Sequence, residues 1–432
     1  MKGVLLFTGK LGYQTRSFDE AAERLGVQLV YVTDRCHQLN DPWNDGAIPV
    51  QFADAEAAAR LAIGKARERG VPLDGVLALG DRPVQAAALA ARGLGLRFHH
   101  PAAVEACRSK LRTREVLRDA GLSVPWFQAV RAQPTPEPAL LGIAYPCVLK
   151  PLSLSASQGV IRANSRDEFV AAAKRIACLL AAPEIRATGE SNLEWILVES
   201  YVPGREVAVE GLLSDGELRV LAIFDKPDPL EGPFFEETIY VTPSRFGDLE
   251  QSAISRCTRD SARALGLSHG PLHAEFRVNE EGVWPIEVAP RPIGGLCARA
   301  LRFDWHSGGE RMSLEELLLR HALDLPPSDL PRESAASGVM MIPVPGSGVL
   351  ERVEGEDAAQ QTPGITELLV TARLHDYIAA WPEGSSYLGF LFASGEKPED
   401  AEQALRAAHG KLHFKLTPRL PVEHPAGGRV GP

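Results

Sequence analysis

The sequence has no two cysteines spaced as CxxC. Its six cysteines, Cys36, Cys107, Cys147, Cys178, Cys257 and Cys297, are scattered. That usage excludes a zinc ribbon or redox dithiol and fits reduced, mostly buried thiols. No apolar run approaches the ~20 residues of a membrane span. The opening MKGVLLFTGK is stopped by Lys10 and is too short for a signal peptide. Positive charge is not in excess: 46 Lys and Arg stand against 56 Asp and Glu, a net charge of -10. A general nucleic-acid or anionic-membrane surface is therefore excluded, although a local cationic pocket is not. Internal repeats and long low-complexity segments are also missing. What is left is a soluble, cytoplasmic protein. Its 432 residues, 45% apolar and 24% charged, suffice for two to four domains.

Residues 3 to about 105 alternate short apolar runs with helical patterns. Gly3 to Thr8, Val27 to Thr33 and Gly75 to Leu79 read as strands. Ser17 with Glu20 reads as a capping box, Gly26 as a helix stop, and Pro83 to Arg92 as an Ala-rich helix. This order predicts a parallel sheet covered by helices. Gly9 and Gly12 follow the first strand, but Gln14 and Thr15 do not complete a dinucleotide fingerprint, so a plain strand-to-helix turn is the expectation.

Further on, SKLRTREVLRDAG (109 to 121) is a basic helix closed by Gly121. Pro125 and the stretch Pro134 to Pro138 read as a linker. Tyr145 to Pro151 is a strand carrying Lys150, followed by LSLSASQGV. Ser165 and Glu168 cap a helix to about Ala181. Trp195 to Tyr201, Glu206 to Leu213 and Glu217 to Phe224 are strands, the last two joined by Ser214-Asp215-Gly216. After about 326, a Pro-rich stretch leads to YLGFLFASG and a helix from Pro398 to His409.

The chemistry concentrates in PIEVAPRPIGG, residues 285 to 295. Leu272 to Val278 and Val283 to Val288 form a hairpin over NEEG. If Gly282 makes a bulge there, Glu275 faces Glu287. Facing carboxylates repel, so they turn to solvent, pair with Arg277, or hold a hard cation such as Mg²⁺. Lys150, before a flexible Ser-rich loop, and Lys110, at a helix start, are either solvated or poised for phosphate. SLSASQG is not a Walker A loop. Glu199-Ser200-Tyr201-Val202, Gly204 and Glu206 run from strand into turn. They read either as an edge strand with solvated acids or as a base- and ribose-binding segment.

In this order, Lys110, Lys150 with its loop, Glu199-x-x-Val202, Gly204-x-Glu206, Glu275, Glu287, Arg291 and Gly294-Gly295 resemble the ATP-grasp superfamily over roughly residues 105 to 300. GPLHAEFR, IEVAPRPIGG and FLFASGEKPEDAEQAL are similar to segments of carboxylate–amine ligases, including L-amino-acid ligases. The resemblance implies an α/β and α+β architecture. It has an N-terminal parallel α/β domain (1–105), an ATP-grasp domain (106–325) with a lid at about 125–200 and a central antiparallel sheet, and a small C-terminal α+β module (326–432).

It also implies roles. Lys110 and Lys150 contact ATP phosphates beneath a mobile loop from Ser153 through Ser155 and Ser157 to Gly159. Glu199 and the Tyr201–Val202 backbone hold adenine, and Glu206 the ribose. Glu275 and Glu287 bind Mg²⁺, with Mn²⁺ as a substitute. Arg291 stabilises the substrate carboxylate and its acyl phosphate, beside Gly294 and Gly295. Two assignments stay open: Glu236 or Glu237 holds a substrate ammonium or lies in a solvated loop, and His273 supports the metal acids or is a core histidine. Ala289 stands where relatives usually carry a metal-binding Asn, and Ser109 where an acid is common. The expected reaction joins a small-molecule carboxylate to an amine, giving ADP and phosphate. A homodimer is a family-level expectation. Other purine-pathway or carboxylating ATP-grasp chemistry, or a catalytically impaired ATP-binding regulatory module, are the rival readings.

Overall fold

The computed structural model describes residues 1–9, 14–34, 46–138, 142–304, 311–325, 335–418, 422–423 and 429–430. Gly12, Cys36 and the Pro-rich stretch from 326 lie outside the described residues.

The apolar runs near the start form a parallel sheet ordered Ile48–Pro49, Gln28–Thr33, Gly3–Thr8, Gly75–Leu79. Burial on both faces explains their unbroken hydrophobicity; Val4, Leu5, Leu6 and Phe7 are wholly buried. The first helix, Gln14–Leu25, places Ser17 three residues past its start, so the expected capping box does not form. Gly26 does end it, at φ +62°.

A four-stranded sheet follows, ordered Phe127–Arg131, Trp195–Ser200, Cys147–Pro151, Ile161–Ala163. Its first strand lies in the region read as linker. That strand hides because it is short and only Val130 is buried. Helix Arg166–Ala181 covers the sheet, burying Phe169, Ala173 and Ile176. Ser165 caps it as expected, accepting from Glu168 N at 3.3 Å. Truncating a buried Phe such as Phe169 removes about 3–5 kcal/mol.

The central sheet has eight strands among the described residues. Their order is Gly282–Ala289, Gly270–Asn279, Arg205–Ser214, Glu217–Lys226, Ile239–Thr242, Ala336–Ile342, Gly389–Gly395 and Ile365–Val370. Every pairing is antiparallel. Strands from both sides of residue 325 share it, so the C-terminal segment extends the central sheet. Helix Asp248–Leu265 packs Ile254, Ala262 and Leu265 onto Val207, Val209 and Phe276.

The hairpin brings Glu275 and Glu287 into direct register. The irregularity that produces this register falls between Glu275 and Phe276, not at Gly282, which pairs with Asn279. Ile286 is the extra residue, next to Pro285, which has no N–H to give the ladder; a bulge in an edge strand accommodates both.

Candidate functional site

Two clefts meet above the central sheet. The first, about 780 Å³, lies between the four-stranded and central sheets; Lys110, Lys150, Tyr201, Val202 and Arg277 are among its walls. The second, about 1400 Å³, opens toward the N-terminal sheet and the C-terminal segment; Asp81, His273, Arg291, Gly294, Gly295 and Tyr387 are among its walls. Both are lined by Ser155, Ser157, Glu237, Glu275 and Glu287.

At the first cleft, Lys150 ends its strand almost fully buried. Burial lowers its pKa to about 8, while the paired carboxylate of Glu199 opposes that fall. Glu199 is held from the other side by Arg114, with Nε to Oε1 at 2.6 Å and Nη2 to Oε2 at 3.4 Å. Burial pushes the Glu199 carboxyl up, but the charges of Arg114 and Lys150 outweigh it and hold the pKa below the ordinary value. Glu199 thus lines the cleft chiefly as the counter-charge of two buried cations. Lys110 Nζ donates to the Leu154 carbonyl at 2.5 Å, tying the helix start to the Ser-rich loop. Ser109 is the N-cap of that helix, which is why a hydroxyl suits the position.

The loop has Ala156 and Ser157 at φ near +54°, and Gly159 at +73°. It is fastened to the C-terminal segment: Trp381 Nε1 donates to Ala156 O at 3.0 Å and Gly159 N to Pro382 O at 2.8 Å.

Tyr201 N donates to Pro146 O at 3.1 Å, and Val202 O accepts from Arg277 Nη1 at 3.1 Å. Among the described residues the Tyr201 carbonyl and Val202 N–H meet no partner, so one acceptor and one donor remain for a planar ligand edge. Glu206 does not stand free for a ribose. Its oxygens take Lys226 at 2.9 Å and Arg277 at 3.0 Å. Extended strands bring these three side chains to one face, a proximity that spans 71 residues of sequence.

Lys226 was not singled out from the sequence and is the hub of the acidic floor. Its ammonium donates to Glu206 at 2.9 Å, Glu237 at 2.6 Å and Glu275 at 2.9 Å. Oxygens of these three acids lie within 4.8 Å of one another. Burial alone would depress the lysine, but the three carboxylates raise its pKa well above ordinary. Glu237 also accepts from Tyr240 OH at 2.7 Å; burial and then Glu275 lift its pKa to about 7. Glu237 therefore meets an ammonium, that of Lys226. Glu236 turns away and accepts from Val344 N at 3.0 Å.

His273 is not an isolated core histidine. Its Nδ1 lies 2.5 Å from Glu210 Oε1 and its Nε2 3.4 Å from Glu275 Oε1. Burial opposes its charge, but Glu210 and Glu275 raise its pKa to about 9. Lys226, His273 and Tyr240 all reach one oxygen of Glu275, Oε1. Glu287 is different: among the described residues it accepts no hydrogen bond, and Arg291 Nη2 is 4.0 Å away. A pair of facing acids with one carboxylate unengaged, in a floor of oxygen donors, fits a hard divalent cation. Ala289 is buried opposite His273 and offers no ligand.

Arg291 leaves the same strand and meets an unexpected partner. Its Nε and Nη2 donate to Asp81 at 2.7 and 3.0 Å, across 210 residues of sequence. Asp81 follows Gly80 at the carboxyl end of strand Gly75–Leu79. That end of a parallel strand is where ligand-binding groups gather, a signal that could have found it. Burial disfavours the Asp81 charge, but Arg291 more than compensates and its pKa is lowered. Gly294 is open around its Cβ position; Gly295 sits at φ +61° beneath the Phe390 ring. Glu210 and Lys226 carry a different signal, charges inside or at the end of apolar runs, whereas Arg114 in its basic helix carries none.

The ATP-grasp domain family matches residues 143–300, the ATP-grasp N-terminal domain 19–97, and the L-amino acid ligase C-terminal domain 2 residues 340–417. The ATP-grasp enzyme fsqD of Aspergillus fumigatus is 27% identical over 318 residues, covering 64% of this chain and 53% of that protein. Alanine–anticapsin ligase of Bacillus amyloliquefaciens is 27% identical over 263 residues, 57% of this chain and 54% of that one. The chain spans about half the length of these curated relatives. A crystal structure of L-amino acid ligase from Bacillus licheniformis superposes with a TM-score of 0.79 at 27% identity, over 96% of this chain and 99% of that one. Among the described residues no helix is long and apolar enough to cross a membrane. Along the chain there thus follow an ATP-grasp N-terminal domain, an ATP-grasp domain and an L-amino acid ligase C-terminal domain 2, on a fold similar to that of an L-amino acid ligase.

Proposed function

We propose that the protein is an ATP-dependent carboxylate–amine ligase that joins small-molecule substrates, amino acids among them, through an acyl phosphate. The observation that carries this reading is the shared wall of acids and loop serines between the two clefts. A nucleotide in the first would direct its terminal phosphate to a carboxylate in the second.

Lys110 and Lys150 supply cations for phosphate oxygens, and the loop from Ser153 to Gly159 covers them. The Tyr201 carbonyl and Val202 N–H match an adenine edge. Glu275 and Glu287 would hold Mg²⁺, with Mn²⁺ as a substitute; when bound it neutralises charge on the phosphates. Transfer of the γ-phosphoryl to a substrate oxygen breaks its bond to ADP. An amine nitrogen then attacks the acyl carbon and inorganic phosphate leaves. This chain's work is positioning and charge stabilisation. Arg291, a planar fork, suits the oxyanion that develops there. Glu206, committed to Lys226 and Arg277, shapes the floor beneath a ribose. The lid from about 125 to 200 keeps water from the acyl phosphate.

Alanine–anticapsin ligase and L-amino acid ligase, by their names, join amino-acid substrates, which favours this class. The test is a matrix of amino acids and small acids supplied with ATP and Mg²⁺. Phosphate release that needs both substrates, with an amide product of matching mass, is expected. ATP binding without turnover on any pair would reduce the protein to a nucleotide-binding module.

A further inference from the structure

We infer that the loop Gly80-Asp81-Arg82 couples lid closure to the orientation of Arg291, with Asp81 and Arg82 as positioning residues. The inference rests on the ligase reading above.

Arg291 carries a flexible side chain whose freedom must be removed before it can meet a developing oxyanion. Asp81 removes it. Two parallel N–H···O bonds, at 2.7 and 3.0 Å, fix the guanidinium plane, and Nη1 is fixed by Pro292 O at 3.1 Å. The next residue faces the lid. Arg82 Nη1 donates to Asp34 at 2.9 Å and Nη2 to the Thr188 carbonyl at 3.0 Å, while Nε lies 3.4 Å from Glu190.

Glu190 is almost buried and also accepts from Arg108 at 3.0 Å. Thr188 to Glu190 lie in the lid, between helix Pro183–Arg186 and strand Trp195–Ser200. The contact is close: a Cβ at Gly189 would fall 2.5 Å from that of Ala53 in the N-terminal domain.

Two consecutive side chains therefore reach the lid on one side and the reactive arginine on the other. They stand on a short loop anchored by a fully buried strand, with Gly80 at φ +92° making the turn. When the lid lifts, Arg82 loses its Thr188 and Glu190 contacts. The loop is then held by Asp34 alone among those partners, and the Asp81–Arg291 fork loses its fixed base. Arg291 is thus set for the acyl phosphate only while water is excluded.

The experiment measures phosphate release, amide formation and melting temperature in the full chain for wild type, Asp81→Asn, Asp81→Glu, Arg82→Ala and Arg82→Lys. Asp81→Asn should lower kcat about ten- to a hundredfold with KM for ATP unchanged, and Asp81→Glu should recover part of it. Arg82→Ala should raise the ratio of phosphate released to amide formed above one, with Arg82→Lys in between. Wild-type kcat in Asp81→Asn, or a ratio fixed at one in Arg82→Ala, overturns the coupling. So does a kcat loss that follows melting temperature across all variants, since that marks a structural staple. Absence of wild-type turnover with every pair defeats the ligase reading itself, a distinct result.

Discussion

Glu275 and Glu287 stand directly opposite each other on adjacent strands, yet their carboxylates have different fates. Glu275 is claimed by Lys226 at 2.9 Å and His273 at 3.4 Å, whereas Glu287 accepts no hydrogen bond among the described residues. One acid is anchored to the protein and the other is left for a ligand.

Chelation with EDTA should therefore abolish turnover, and Mg²⁺ should restore it. Glu287→Gln should lower kcat by about a hundredfold or more while leaving the fold intact, because its carboxylate accepts no hydrogen bond among the described residues and meets Arg291 only at 4.0 Å. Melting scans with Mg²⁺ and ADP should show stabilisation of wild type, roughly 2.7 kcal/mol at a hundred times Kd, and less for the variant. A variant that still turns over removes Glu287 from the metal site.

Lys226 neutralises three acids at once. Lys226→Met should destabilise the protein by about 3–5 kcal/mol, since it leaves Glu237 without a cation and leaves Glu206 and Glu275 only Arg277 and His273. Divalent cation should recover part of that loss, because the same oxygens then have another cation to face. Urea titrations of the variant with and without Mg²⁺ test both parts; unchanged stability would show that the cluster is self-neutralised by protons.

His99 and His321 are not among the walls of either cleft and are held neutral by burial, each near pKa 4. Their folded pKa lies below the unfolded value, so the unfolded chain binds more protons between about pH 4 and 6.5. Stability should fall as pH falls through that window, by up to about 3 kcal/mol per ring. Glu237, with its raised folded pKa near 7, acts in the opposite direction between about pH 4.5 and 7. Urea midpoints from pH 4 to 7 should show a shallower acid limb in His321→Gln and His99→Gln than in wild type. Parallel limbs would contradict the assignment.

Lys150 titrates near pH 8, so its charge is lost early on the alkaline side. ATP affinity should weaken as pH rises past about 8. Glu199 holds that pKa up, so Glu199→Gln should move the weakening to lower pH. Binding isotherms at several pH values measure it, and an affinity flat to pH 10 would show that Lys150 does not meet phosphate.

Much of this was legible in the chain. Period-two alternation placed His273, Glu275 and Arg277 on one face; Glu287 does face Glu275, but through the bulge at Ile286 and not through Gly282 as the hairpin loop suggested. Lys110, Lys150 and the serine loop do line one cleft, and Arg291 and Gly294-Gly295 another. The short strand Phe127–Arg131 was hidden, because one buried side chain in five leaves no alternation to read.

Sequence alone determined most of the local elements, the existence of the hairpin and the types of charge available, since these follow from backbone periodicity and from neighbours a few residues apart. Only the tertiary structure decided which charge meets which. Arg291 finds Asp81 across 210 residues, Arg114 finds Glu199 across 85, and Lys226 reaches Glu275 across 49. Ion pairs leave no spacing rule in a sequence, because a side chain's partner is set by which strands and loops pack together in space.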